Sequence, residues 1–222
     1  SNWSPALVPN SANVTIPSVG ITNFPEVTSV SIASGKTLSL LADTKLSVTG
    51  VLTNNGTITI ESGATLVQGS SSTLAGSGVY NVKQTITGAG TSTPTGRFWY
   101  LGSPVATSSS SVLFANTANV VKKRDEATNT WIALASGTPE NLSVGRGYYT
   151  QAMANSTVTF TGGNINNGTV NISNLSRTSG VNFEGFNLVA NPYPSYLDWD
   201  LVTKTNVGNT MWYRTATGNT AG

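Results

Sequence analysis

Cysteine and histidine are both missing from this 222-residue chain. Without cysteine there is no disulfide framework, no thiol nucleophile and no cysteine-ligated zinc site. Without histidine the commonest general base and the commonest metal ligand are gone, and a Ser-His-Asp triad is excluded. Charge is scarce too: Asp, Glu, Lys and Arg make up 9% of the residues, against roughly 25% in ordinary soluble domains. The formal net charge is +2, from eleven cations and nine anions. One cation cluster, Lys122-Lys123-Arg124, runs straight into Asp125 and Glu126. Those carboxylates cancel much of the field that phosphates would need, so nucleic acid is not an expected partner. The cluster is expected at a solvated hairpin tip. No apolar run reaches the ~18 to 20 residues of a bilayer-spanning helix, so membrane insertion is not expected either. The chain opens Ser1-Asn2-Trp3, as a processed or trimmed protein would, and that start does not argue for the cytoplasm.

What the chain has in abundance is Thr, Ser, Asn and Gly, set between short β-branched runs. Helical periodicity is nearly absent. Val14-Thr15-Ile16 and residues 27–32, 37–41, 45–52 and 57–60 alternate apolar and polar at the strand period. Uncharged hydroxyls and amides on the outward side of such strands suit an extracellular or cell-surface life. SIASGKTLSL at 31–40 returns as TIESGATLVQ at 59–68, which carries Ile32, Ser34, Gly35, Thr37 and Leu38 onto Ile60, Ser62, Gly63, Thr65 and Leu66. The same offset of 28 residues carries Leu46 onto Leu74 and Gly50 onto Gly78. A fixed period of this kind points to stacked units that bury their apolar face only against one another. It predicts a small right-handed β-helix-like solenoid over residues 1–90. A sandwich with two similar hairpins is the alternative for that part.

Residues 85–97, TITGAGTSTPTGR, predict a linker or exposed loop. Beyond it, Phe98-Trp99-Tyr100, Val112-Leu113-Phe114, residues 131–134, Gly147-Tyr148-Tyr149 and residues 157–160 predict strands whose rings fill a core. Residues 91–222 are therefore expected to form a β-sandwich or jelly-roll-like domain, and the whole chain is expected to be all-β. NNGTITI at 54–60 and NNGTVNI at 166–172 each place Asn-Gly ahead of an expected strand, with Gly supplying a positive φ.

Chemistry-bearing residues concentrate in NLVANPYPSYLDWD, residues 187–200. Asn191 precedes Pro192, which disfavours helix, and Pro194 adds a second constraint. Asp198 and Asp200 are neighbours on one strand side, whereas glycosidase carboxylates flank a bond from about 5 to 10 Å apart. Calcium wants about six to eight oxygens, and few further anions are near. No catalytic, metal or cofactor residue is expected, and the segment is expected to be a structural corner. The candidate ligand contacts are aromatic: Trp131, Tyr148, Tyr149, Tyr193 and Trp199, joined by Trp212 if several share one exposed face. Buried, the same rings would be core or cap. Arg146, between glycines, is expected to be a solvated turn residue.

The order of motifs resembles the surface and secreted proteins of Bacteroidota exported by the type IX route. SGATL-type and L-x-N-x-G repeats lead into Tyr100-Leu101-Gly102-Ser103-Pro104-Val105, then Gly145-Arg146-Gly147-Tyr148-Tyr149, then residues 160–168 (FTGGNINNG), and finally residues 186–199 (FNLVANPYPSYLDW). The resemblance implies an extracellular or cell-surface address and an architecture rather than an activity. It also implies a longer parent chain, because that group continues into further strands and a sorting domain. The function expected is a non-enzymatic structural or adhesive module, with copies of itself, other surface proteins or glycans as partners. The alternative is a carbohydrate-binding module of a secreted polysaccharide-degrading protein. An exposed coplanar row of aromatics would favour the second, and buried rings the first.

Overall fold

Among the described residues of the first ninety, alternation at the strand period produces ten short strands: β1 (Val14–Ile16), β2 (Glu26–Val27), β3 (Val30–Ile32), β4 (Thr37–Leu40), β5 (Lys45–Val48), β6 (Val51–Asn54), β7 (Thr57–Ile60), β8 (Thr65–Gln68), β9 (Thr73–Ala75) and β10 (Val79–Ile86). The structure is a computed structural model that describes residues 14–16, 25–88, 97–114 and 120–213. Every third strand pairs in parallel, giving the sheets β1-β4-β7-β10, β2-β5-β8 and β3-β6-β9. Repeated hairpins would pair antiparallel, so the parallel register selects a three-sided solenoid. The boundary expected between residues 90 and 91 lies outside the described residues.

The repeat period is a correction. Leu38 pairs with Ile58, and Ile58 with Tyr80, so successive coils are 20 and 22 residues long, not 28. The two matching segments do not stack. Ser34-Gly35 turns the corner between β3 and β4, whereas Ser62-Gly63 turns the corner between β7 and β8. The residue that stands over Gly63 in the previous coil is Asp43, and both have positive φ (87° and 61°). The 28-residue match is thus one coil plus one side. The same tight turn serves different corners because each needs a left-handed residue, which Gly or Asp supplies.

Inward side chains form continuous ladders. Leu40, Ile60 and Val82 stack in register across the first sheet, and Phe160 extends that ladder from β15 (Ser156–Thr161). Leu40, Ile60 and Phe160 are buried, as is Leu52 in the third sheet. Each full burial of this kind contributes about 2 kcal/mol. β15 pairs antiparallel with β10 over six positions, so the second half of the chain covers the last edge of the solenoid. Two further contacts reinforce this cap: Leu66 N donates to Pro194 O (3.0 Å), and Asn167 Nδ2 donates to Ser72 O (2.8 Å).

The second half also folds a four-stranded antiparallel sheet, ordered β11 (Arg97–Leu101), β14 (Tyr148–Ala152), β12 (Val121–Asp125) and β13 (Thr130–Ala133). Val112-Leu113-Phe114 is not a strand. It belongs to a short helix, α1 (Ser111–Phe114), which begins where Ser109 Oγ accepts from Ser111 N (3.2 Å). The expected strand at 169–172 does not form either. Gly168 makes its turn at φ 66°, but Val170 N then donates to Tyr193 Oη (3.2 Å) instead of a ladder carbonyl. Val189 forms only an isolated bridge to Arg146. No helix among the described residues is long and apolar enough to cross a membrane.

Candidate binding face

The pleat of the four-stranded sheet sorts its residues into two sets. Leu101, Val121, Tyr148 and Thr150 point one way and are buried. Phe98, Tyr100, Tyr149, Lys122, Arg124 and Trp131 point the other way. One row across all four strands reads Tyr100, Tyr149, Lys122, Ala133, and the adjacent row pairs Arg124 with Trp131. Tyr100 and Trp131 are 39% and 40% exposed, which is unusual for rings of this size on a folded sheet.

The rings touch. Tyr100 and Trp131 lie parallel to within 1°, with centroids 6.2 Å apart, and Tyr149 tilts against both at 6.3 and 5.5 Å. Phe98 stacks on Tyr149 at 5.1 Å. Lys122 Nζ sits 5.9 Å from the Tyr149 ring centre, and the Arg124 guanidinium 6.0 Å from that of Trp131. Arg124 is held by Thr130 O (3.1 Å) and Asn129 Oδ1 (2.5 Å), which fixes its charge beside the indole. Lys122-Lys123-Arg124 is therefore not a hairpin tip but the body of β12. Lys123, on the opposite side, forms an ion pair with Glu140 (2.8 Å).

The sequence candidates divide accordingly. Trp131 and Tyr149 belong to this face. Tyr148 is 1% exposed and its hydroxyl accepts from Ser143 N (2.8 Å), so it is a core residue. Tyr193 and Trp199 lie elsewhere, in the proline corner, without ring contacts to Trp131 or Tyr149 among the described residues. Phe98, Tyr100, Lys122 and Arg124 were not anticipated. The signal for the first two was present, since alternation through Arg97–Leu101 places Phe98 and Tyr100 on one side.

The corner at 187–200 is a staple. Asn191 Oδ1 accepts from Tyr193 N (3.0 Å), an Asx turn that sets the bend before Pro194. Asn166 Nδ2 donates to Pro192 O (2.8 Å), and the Tyr193 hydroxyl donates to Gly168 O (2.7 Å) while accepting from Val170 N. Trp199 Nε1 donates to Asn209 O (2.8 Å), and Lys204 Nζ lies 4.9 Å above its ring. Asp198 and Asp200 are exposed, and Asp198 Oδ1 accepts from Asp200 N (3.0 Å). Among the described residues no group of Asp and Glu could hold a metal ion. Tyr193→Phe removes a hydroxyl with two partners, so urea unfolding should show a loss of about 1 to 2 kcal/mol. An unchanged midpoint would mean that this hydroxyl does not tie the corner to residues 168–170.

The sequence places Glu126 at a solvated tip, and the structure buries it. Glu126, at the β12–β13 turn, is 3% exposed. Its Oε1 accepts from Thr178 N and Gly185 N, both at 2.8 Å. Its Oε2 accepts from Ser176 Oγ (2.8 Å) and Thr178 Oγ1 (3.0 Å). The backbone amides of Gly185 and Thr178 outweigh the effect of burial and bring the carboxyl down to about 2. Nothing in KKRDE marks Glu126 for this role, because its partners are main-chain donors about fifty residues away in sequence.

Near this anchor a small cavity of about 120 Å³ is lined by Arg124, Ser143, Arg146, Asn174, Asn187 and Val189, among others. Arg146 is not simply solvated, since its Nη2 reaches Arg124 O (3.4 Å).

A family model described as a domain of unknown function (DUF8693) matches residues 1–219. No curated protein and no solved structure matches the chain.

Proposed function

The chain belongs to that family, and we propose that it is a carbohydrate-binding module of a bacterial surface or secreted protein, which holds saccharide on the aromatic face of its four-stranded sheet. The observation that carries this is the parallel, exposed pair Tyr100 and Trp131, with Tyr149 between their strands. Parallel rings offer flat apolar surfaces to the C–H faces of a sugar while leaving its hydroxyls in water. The solenoid then serves as the rigid support that the sheet is built against. β15 already occupies the β10 edge, which removes one of the sheet edges on which copies could stack. The low charge and the ordered motifs that resemble type IX cargo support an extracellular address. The buried carboxylate of Glu126 is held by four hydrogen bonds, and Asp198 and Asp200 are sequence neighbours, so neither arrangement suits acid–base work.

The test is a glycan array probed with the wild-type chain and with Trp131→Ala and Tyr100→Ala. A sugar ring that covers about 60 Å² of indole contributes ~1.5 kcal/mol, so each variant should bind at least about tenfold more weakly. Binding that survives both substitutions unchanged would refute the assignment of the face.

A further inference from the structure

We infer that the aromatic face selects acidic saccharides, its rings stacking on the sugar while Lys122 and Arg124 meet a uronate carboxylate. This rests on the saccharide-binding role proposed above and names its substrate class.

The charge pattern carries the inference. The pleat places two cations among the rings, and no Asp or Glu occupies a position on this face of the four strands. The nearest acidic residues in sequence are engaged elsewhere. Asp125 accepts from Ala127 N (3.1 Å) and Thr128 Oγ1 (2.9 Å), Glu126 is buried under residues 176–185, and Glu140 is paired with Lys123 on the opposite side. In a chain with only 9% charged residues, an unbalanced pair of cations beside exposed rings is a local concentration of positive charge.

The two cations are prepared differently. Arg124 is fixed by Thr130 O and Asn129 Oδ1 and holds its charge over the Trp131 ring. The Lys122 ammonium forms no ion pair and no hydrogen bond among the described residues, and it lies near the Tyr149 ring. It therefore has donors to give to a ligand. A neutral sugar would have to displace the Lys122 ammonium from the Tyr149 ring without replacing that attraction. A uronide stacks on the rings and supplies a carboxylate to the displaced ammonium.

The experiment is titration calorimetry of the whole chain against a panel of oligouronides (galacturonic, mannuronic and glucuronic), each paired with its methyl ester. The ester keeps the stacking surface and removes the charge. The expected result is a preference of at least about tenfold for one acid over its ester, which shrinks between ~20 and ~300 mM NaCl. Lys122→Gln should abolish the preference, and Lys36→Gln, an equal loss of charge on the solenoid, should leave it intact. Equal affinity for acid and ester would overturn the acidic assignment and leave the stacking role standing. Binding to no member of the panel would overturn both. Tighter binding to single-stranded oligothymidylate than to any uronide would give the face to nucleic acid instead, which also overturns the inference.

Discussion

Gly56→Ala should prevent the solenoid from closing. A Cβ at this position would lie 2.2 Å from Lys36 O, 2.5 Å from Ala33 O and 2.9 Å from Ile32 Cγ2. Two of those atoms are backbone, and Lys36 O is fixed because it accepts from Thr57 N (2.9 Å) at the start of β7. The clash cannot be relieved by turning a side chain, so the coil above must move or the corner must open. Gly56 is thus required for space and not for a left-handed φ, which it does not adopt. Gly78 stands under the same corner one coil later, and a Cβ there would lie 2.5 Å from Gly56 O, so the crowding repeats down the stack. The expected loss exceeds about 4 kcal/mol, measured by circular dichroism in urea. Gly137→Ala, where a Cβ would meet nothing within 4 Å, is the control and should change stability by less than about 0.5 kcal/mol. Equal stability of the two variants would mean that the corners are not packed against each other as the register requires.

Glu126→Gln should release the segment around residues 173–187 while leaving the solenoid folded. Glutamine replaces one acceptor oxygen with an NH₂ group, which would point at donors it cannot satisfy: the amides of Thr178 and Gly185 on one side, or the hydroxyls of Ser176 and Thr178 on the other. Arg177 lies within this segment with its side chain 77% exposed, so trypsin cleavage after it reports the release directly. Cleavage should accelerate by roughly tenfold or more as the opening equilibrium shifts. The same contact sets an acid limit. The folded carboxyl titrates at about 2 and the unfolded one near 4.5, so the anchor contributes fully above the unfolded value. That contribution declines as pH falls from about 4.5 and is gone below about 2. Hydrogen exchange of Thr178 and Gly185 amides should rise through this window in the wild type, on top of its intrinsic pH dependence. In Glu126→Gln it should already be fast at neutral pH. Slow exchange in the variant would show that other contacts hold the segment.

The candidate face was half legible. Trp131 and Tyr149 stand out as rings in short strands, and the alternation of Arg97–Leu101 contains the pairing of Phe98 with Tyr100. That Tyr148 turns inward while its neighbour turns outward follows from the pleat, but which of the two faces water depends on what covers the sheet. Charges in a row suggest a turn, so the sequence alone puts Lys122 and Arg124 at a solvated tip. Their pairing with β14 and β13 placed them among the rings instead.

The sequence by itself determined the local matters: an all-β chain, its turn residues, the proline corner, and the absence of thiol and imidazole chemistry. These follow from two-residue alternation, from glycine and proline turn signals, and from composition, none of which needs a distant partner. Only the tertiary structure decided the length of a coil, the covering of β10 by β15, the sharing of one face by Tyr100 and Trp131, and the burial of Glu126 under backbone amides. Each of these depends on which segments pair across tens of residues. Backbone donors look the same in every sequence, and one turn motif fits any corner of a solenoid, so the register that distinguishes them exists only once the chain is folded.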